Sequence, residues 1–357
     1  MVLTIQAGAK AYQQIRNNGL SAEDISAVFG ASGAAKWITI YGLDRAIFSD
    51  WLPQSTHPID LFGTSVGAFK LAAAAQRDPA EALLRLVDAY ISQNYENNET
   101  AEQVVKETQK LLHTLLPPSG IEEILHNPRL RYHCGSVKCL GGLASREVTP
   151  QKIAMVKGFF KALAGRKYLG SSMERVVFHA GSSPTMKAGC DKFTSSSVAL
   201  NSQNIMAAIS SSGSIPVMME GIEHIEGAAN GMYRDGGLLD YHPVPSNLAE
   251  YDQGLVLYPH FYSYLKESWF DKFFPWRTVP ANRLDNVVLI SPSEQFVNSL
   301  PDGRIPERQD FSRFRGNHAE RIRRWNEVKQ RSLELGEHFI KLVASGDIAS
   351  EVQLLSR

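Results

Sequence analysis

Short apolar runs bounded by glycine-rich and polar stretches alternate along this chain with longer segments whose apolar residues recur at helical spacing. The pattern predicts strands over 25–29, 59–62, 130–140, 175–179, 232–234, 255–258 and 287–291. Helices are predicted over 37–48, 68–76, 79–115, 201–210 and 318–343, the third carried by Leu83, Leu84, Val87, Tyr90 and Ile91. Ser21 and Asp24 read as a capping box ahead of the first strand. Pro117-Pro118 is expected to stop the long helical stretch. The recurring order strand, loop, helix, strand argues for the α/β class, a three-layer α/β/α sandwich around a central, mainly parallel sheet. No repeat and no low-complexity linker interrupts it. A single domain over 1–357 is therefore expected, with 259–357 as an elaboration holding an aromatic-rich segment and an amphipathic helix.

Composition narrows the class of partner. Hydrophobic residues make up 43% of the chain and charged residues 21%, as in a globular protein. Lys plus Arg equals Asp plus Glu, 37 each, so no overall field draws the chain to nucleic acid or to an anionic membrane. The first twenty residues lack the apolar run of a secretory leader. No stretch reaches the roughly eighteen consecutive apolar residues of a spanning helix. Three cysteines, Cys134, Cys139 and Cys190, suit a reducing compartment better than a disulfide framework, so a cytoplasmic location is expected. His133 lies close to Cys134 and Cys139, but paired ligand sets at zinc spacing are missing, and no metal or cofactor is expected.

Eight of the chain's 33 aromatic residues fall within 259–277, a density that needs an explanation. One reading is a lid or peripheral membrane patch, because Lys266, Lys272 and Arg277 flank the rings. The other is packing against the core or a second subunit, the commoner fate of such clusters. Oligomeric state stays open.

Two local patterns carry chemistry. Gly63-Thr64-Ser65-Val66-Gly67 matches G-x-S-x-G, with an apolar strand before it and a helix-forming run after it. A nucleophilic serine needs that setting: a tight strand-to-helix turn, glycines that let backbones approach, and a helix start at Val66 whose free N–H groups face a developing oxyanion. Taken alone the pentapeptide is also an ordinary small-residue turn. In the second pattern Asp235 follows a short apolar strand and precedes Gly236 and Gly237, on what reads as an exposed loop. Partial burial would raise its pKa and make it a workable base for a serine proton; the plain alternative is an Asp-Gly turn. A Ser-Asp-His triad on another fold would recruit His242, His260 or His318. Against it, Ser65 follows only about two predicted strands and no HGGG-type segment precedes it.

Together, Gly63–Gly67 and Asp235-Gly236-Gly237 resemble the Ser–Asp pair of the patatin-like phospholipases. The Ala- and Ser-rich stretch 207–216, ending in Ile215-Pro216, resembles the segment that family carries between its two motifs. Residues 238–244 resemble its continuation after the glycines, with Tyr241 where Asn is common. The family's glycine-rich oxyanion loop has its counterpart in Ser32-Gly33-Ala34-Ala35-Lys36-Trp37, with Lys36 in place of an Arg and two glycines replaced by alanine. The resemblance implies a lipid acyl hydrolase with Ser65 as nucleophile, Asp235 as base, and backbone amides of Gly33 and Ala34 beside that of Val66 as oxyanion donors. Its substrate would be a lipid or small ester. A catalytically silent member that binds lipid or protein through 259–277 is the remaining alternative.

Overall fold

The computed structural model describes residues 2–95, 100–181, 191, 193–248 and 254–355. Cys190 lies outside them. Eleven strands form one sheet: β1 (Leu3–Ala7), β2 (Ile25–Gly30), β3 (Ile59–Thr64), β4 (Leu130–Cys139), β5 (Met173–His179), β6 (Ser195–Ala199), β7 (Ile222–Glu223), β8 (Met232–Asp235), β9 (Leu255–Pro259), β10 (Val287–Pro292) and β11 (Gln353–Leu354). Their order is β11-β1-β10-β9-β2-β3-β4-β5-β6, with β8 paired to β4 and β7 to β8. The five central strands from β10 to β4 run parallel, while β1 and β5 are antiparallel to their inner neighbours. Helices pack on the sheet to make three α/β/α layers.

The central strands β3, β9 and β10 are buried at every position, as parallel strands covered on both faces must be. β1 instead alternates, with Leu3, Ile5 and Ala7 buried between half-exposed Thr4 and Gln6. That period-2 signal adds a strand the sequence reading passed over. Three strands, not two, therefore precede Ser65. The predicted helix 37–48 is a composite of a 3-10 segment Ala34–Ile40, an α-helix Tyr41–Ala46 and a π-turn Ile47–Trp51. The stretch 79–115 divides into Pro79–Ser92 and Ala101–Leu115. The stretch ends at Leu115, just ahead of Pro117-Pro118 as expected, and Pro118 opens a separate helix Pro118–Leu125, where its missing N–H has no intrahelical partner to lose.

The 259–357 stretch is built into the domain. It supplies β10 and β11, and its long helix His318–Ser345 packs on Tyr41–Ala46. Of the aromatic segment, Phe261, Phe270 and Phe274 are buried, and Tyr264, Phe273 and Trp276 are exposed. Phe270 and Phe274 join a second, smaller core with Val137, Leu238 and Leu239. The helix Val148–Ala164 over that core was not anticipated, because its apolar residues occupy two faces and blur the helical period. Among the described residues no helix is long and apolar enough to cross a membrane.

Candidate active site

The long strand β4 brings the two chemical motifs together. β3 runs parallel to it and ends with Thr64 opposite Gly135; β8 runs antiparallel and ends with Asp235 opposite Ser136. The two strands thus meet end to end along one edge of β4. Ser65, the next residue after β3, faces the last residue of β8. The Ser65 hydroxyl donates to Asp235 Oδ2 at 2.9 Å, across 170 residues of chain. Asp235 was expected on an exposed loop; its place in the ladder buries it instead.

Ser65 sits at φ 53°, ψ −131°, a conformation rare for a side-chain-bearing residue, at the N-terminus of helix Val66–Ala74. Its strain is held from two sides, since its N–H is received by both the carbonyl (3.1 Å) and the hydroxyl (2.9 Å) of Ser212. The helix crosses β2 so closely that a Cβ on Gly67 would stand 2.2 Å from the Gly30 carbonyl oxygen, and one on Gly63 2.4 Å from the Gly67 carbonyl carbon. Only glycine fits. Across the site, Gly236 presses equally close to the Gly135 carbonyl oxygen, and the Gly237 N–H donates to Asp235 Oδ1 at 2.7 Å.

Asp235 therefore holds two hydrogen bonds that favour its charged form, yet burial outweighs them. Its pKa is raised from 3.8 to about 6, against the lowering pull of Gly237, Ser65 and the Lys272 ammonium. A carboxylate with that pKa is ionised at neutral pH and a far better base than one in water.

Gly33 and Ala34 form the entry to the 3-10 segment, Ala34 at φ 51°. Ala34 and Val66 are each the first residue of a helical segment, so their N–H groups have no intrahelical acceptor. Gly33, Ala34, Ser65 and Asp235 line one cavity of about 360 Å³, together with Ile215, Met218 and Tyr241. From Ser65 and Val66 a narrower apolar pocket of about 80 Å³ leads inward between Phe69, Val104, Leu111 and Phe311. On the other side lies a polar cavity of about 520 Å³ with His242, Lys266, Lys272 and Arg308 on its walls. Lys36 borders it and pairs with Glu307 at 3.3 Å.

Several residues that bind the motifs to one another were not singled out from sequence. Thr64, Ser32, Ser212 and the buried Arg175 are the chief ones. Arg175 donates to both Asp240 carboxylate oxygens (2.7 and 2.8 Å) and so fixes the loop that follows Asp235. Thr64, Ser32 and Ser212 lie within the stretches 63–67, 32–37 and 207–216 that the sequence marks, whereas no motif signal pointed to Arg175.

Among the described residues, no histidine hydrogen-bonds to Ser65 or Asp235. His242 Nδ1 accepts the Lys266 N–H at 2.9 Å and His260 Nδ1 accepts the Tyr262 N–H at 2.8 Å, with both rings buried and their pKa values lowered by burial. His318 opens the long C-terminal helix. His133 turns its Nδ1 to the Leu61 and Arg131 carbonyls, and no group of three or more His, Cys, Asp or Glu among the described residues could hold a metal ion. No family model, curated protein or solved structure matches the chain.

Proposed function

We propose that this chain is a serine acyl hydrolase of the patatin-like kind, cleaving carboxylic esters of lipids or small alcohols with a Ser65–Asp235 dyad. The observation that carries the reading is the 2.9 Å hydrogen bond from the Ser65 hydroxyl to a buried carboxylate whose pKa stands near 6. Asp235 takes the Ser65 proton as Oγ attacks the ester carbonyl. The amides of Gly33, Ala34 and Val66 receive the oxyanion. Collapse of the tetrahedral adduct breaks the ester C–O bond, and the alcohol leaves with the proton held by Asp235. Asp235 then deprotonates a water as it attacks the acyl-enzyme, the bond from the acyl carbon to Ser65 Oγ breaks to release the acid, and the proton passes from Asp235 back to Oγ. The apolar pocket beyond Val66 suits an acyl chain, and the larger cavity leaves room for the alcohol portion.

A fluorophosphonate probe tests the reading, since it labels only an activated serine. Labelling of the parent is expected, lost in Ser65→Ala and Asp235→Asn and kept in His242→Ala and His260→Ala. Loss in either histidine variant would favour a triad. No labelling of a folded parent, together with retained lipid binding, would make the protein a silent binder.

A further inference from the structure

We infer that the helix Val148–Ala164 is a seat for an anionic lipid surface, set beside the mouth of the Ser65 cavity. The helix packs inward through Gln151, Gly158 and Ala162. Its opposite side turns Ile153, Val156, Phe160 and Leu163 to solvent, with Val156 58% and Phe160 61% exposed. At 3.6 residues per turn these four fall within an arc of about 80°, a continuous apolar stripe rather than scattered surface residues. Lys152 borders the stripe on one side and Lys157 on the other, both exposed. No acidic residue occurs between Glu147 and Glu174, whereas Lys152, Lys157, Lys161 and Lys167 do; Arg166 in the same stretch is turned inward and paired with Asp191 and Asp240. An apolar stripe edged by cations alone matches the acyl boundary and charged headgroups of an anionic leaflet. A protein partner would more often meet it with mixed polar contacts.

The stripe does not stop at the helix. Phe160 meets Phe159 at 5.5 Å between ring centroids, Phe159 meets Phe273 at 5.7 Å, and Phe273 meets Trp269 at 5.3 Å. Trp269, Met155 of the same helix and Lys272 line the Ser65 cavity. Trp276, 71% exposed, extends the surface from the buried Phe274. The aromatic segment thus contributes its exposed rings to a surface that the helix dominates. A protein resting on this face would hold the mouth against the membrane. The docking is read without the proposed activity; only the use of the mouth rests on it.

The test is co-sedimentation of the full chain with phosphatidylcholine vesicles containing about 30% phosphatidylglycerol, and with vesicles of phosphatidylcholine alone. Binding to the anionic vesicles is expected, weaker by at least about tenfold without the anionic lipid or in Val156→Ser/Phe160→Ser and in Lys152→Glu/Lys157→Glu. The four substituted side chains are exposed, so cleavage of a water-soluble ester is expected to stay at the parental rate. Ser65→Ala is expected to bind vesicles like the parent, which separates docking from hydrolysis. Absent binding, or parental binding by the Val156/Phe160 variant, overturns the inference. So does a parent that is dimeric in solution and becomes monomeric in that variant, because the face would then join two copies of this chain.

Discussion

Thr64 Oγ1 donates to the Asp240 carbonyl at 2.7 Å and lies 2.9 Å from Ser32 Oγ. Thr64 has a single hydroxyl proton, committed to Asp240, so Ser32 must be the donor in the second contact. One buried side chain next to Ser65 thereby ties the loop holding Ser32 to the loop after Asp235. Ser32 adds a second link, its N–H donating to the Tyr241 carbonyl at 2.8 Å.

Thr64→Val keeps the shape and removes both hydrogen bonds. The unpaired Ser32 hydroxyl and Asp240 carbonyl stay buried, a loss of about 1–3 kcal/mol. Because the loops carrying the proposed oxyanion donors and the proposed base lose their common tie, kcat for ester cleavage is expected to fall on the order of tenfold with KM little changed. Thr64→Ser, which restores the hydroxyl, should recover most of it. A Thr64→Val enzyme with parental kcat and lowered stability would show the link to be structural only.

Burial of Asp235 carries a stability cost and, on the proposed mechanism, sets the pH profile. The carboxylate works as a base only when ionised, so kcat/KM is expected to rise with pH and level off above about 6. The folded chain keeps this proton up to about 6, whereas the unfolded chain releases it near 3.8. The group's stabilising contribution is therefore present below the lower value and lost as pH rises through the upper one. The loss is on the order of 3 kcal/mol. Asp235→Asn removes the charge while its amide can still accept from Gly237 and donate to Ser65. It is expected to be inactive yet to melt higher than the parent at about pH 8, with the difference closing by about pH 4. Thermal unfolding at the two pH values measures this, and identical melting at the higher one would contradict a raised pKa.

Much of the candidate site was legible because the steric demands of its two motifs are local. A serine between Gly63 and Gly67, and an aspartate before Gly236-Gly237, each need their neighbours for steric reasons that sequence alone conveys. Strand positions were legible too, since β3, β9 and β10 are short apolar runs with glycine or proline nearby. What stayed hidden depends on register. Thr64 looks like any strand threonine until β4 sets Gly135 and Ser136 beside the ends of β3 and β8. Asp235 looks exposed for the same reason. The helix Val148–Ala164 escaped because Ile153, Val156 and Phe160 on its exposed face, with Ala154, Met155, Phe159 and Ala162 on its packed side, spread apolar residues around the helix and blur the period.

Ala34 offers a test of the proposed oxyanion loop that separates backbone from side chain. At φ 51° its Cβ is strained, at a cost of roughly 1 kcal/mol that glycine would not bear. Ala34→Gly keeps the N–H and is expected to gain up to about 1 kcal/mol of stability with activity within about twofold of the parent. Ala34→Val adds a branched side chain at the same dihedral and should lose both. Urea unfolding and ester turnover on the three proteins decide it; a large activity loss in Ala34→Gly would mean the methyl group itself touches substrate.

Beneath the site, the buried ammonium of Lys70 on the helix Val66–Ala74 contacts both carboxylate oxygens of Asp44 at 2.9 and 3.0 Å, and Trp37 donates to the same carboxylate at 2.7 Å. The pair fastens the helix that follows Ser65 to the helix Tyr41–Ala46, and Trp37 links the same carboxylate to the 3-10 segment Ala34–Ile40. Burial raises the Asp44 pKa, and Lys70 is the main force opposing that rise. Lys70→Met would leave the carboxylate unpaired, a loss of about 3–5 kcal/mol at neutral pH. Without Lys70 the Asp44 pKa climbs further, so the variant can escape the penalty by holding a proton. The destabilisation is accordingly expected to shrink as pH falls from about 8 to about 5, and Asp44→Asn in the Lys70→Met background should recover part of it at the higher pH. Urea denaturation of the parent, single and double variants measures the coupling. A penalty that does not change with pH would mean that Asp44 stays charged without its partner, and that this site is wetter than its burial implies.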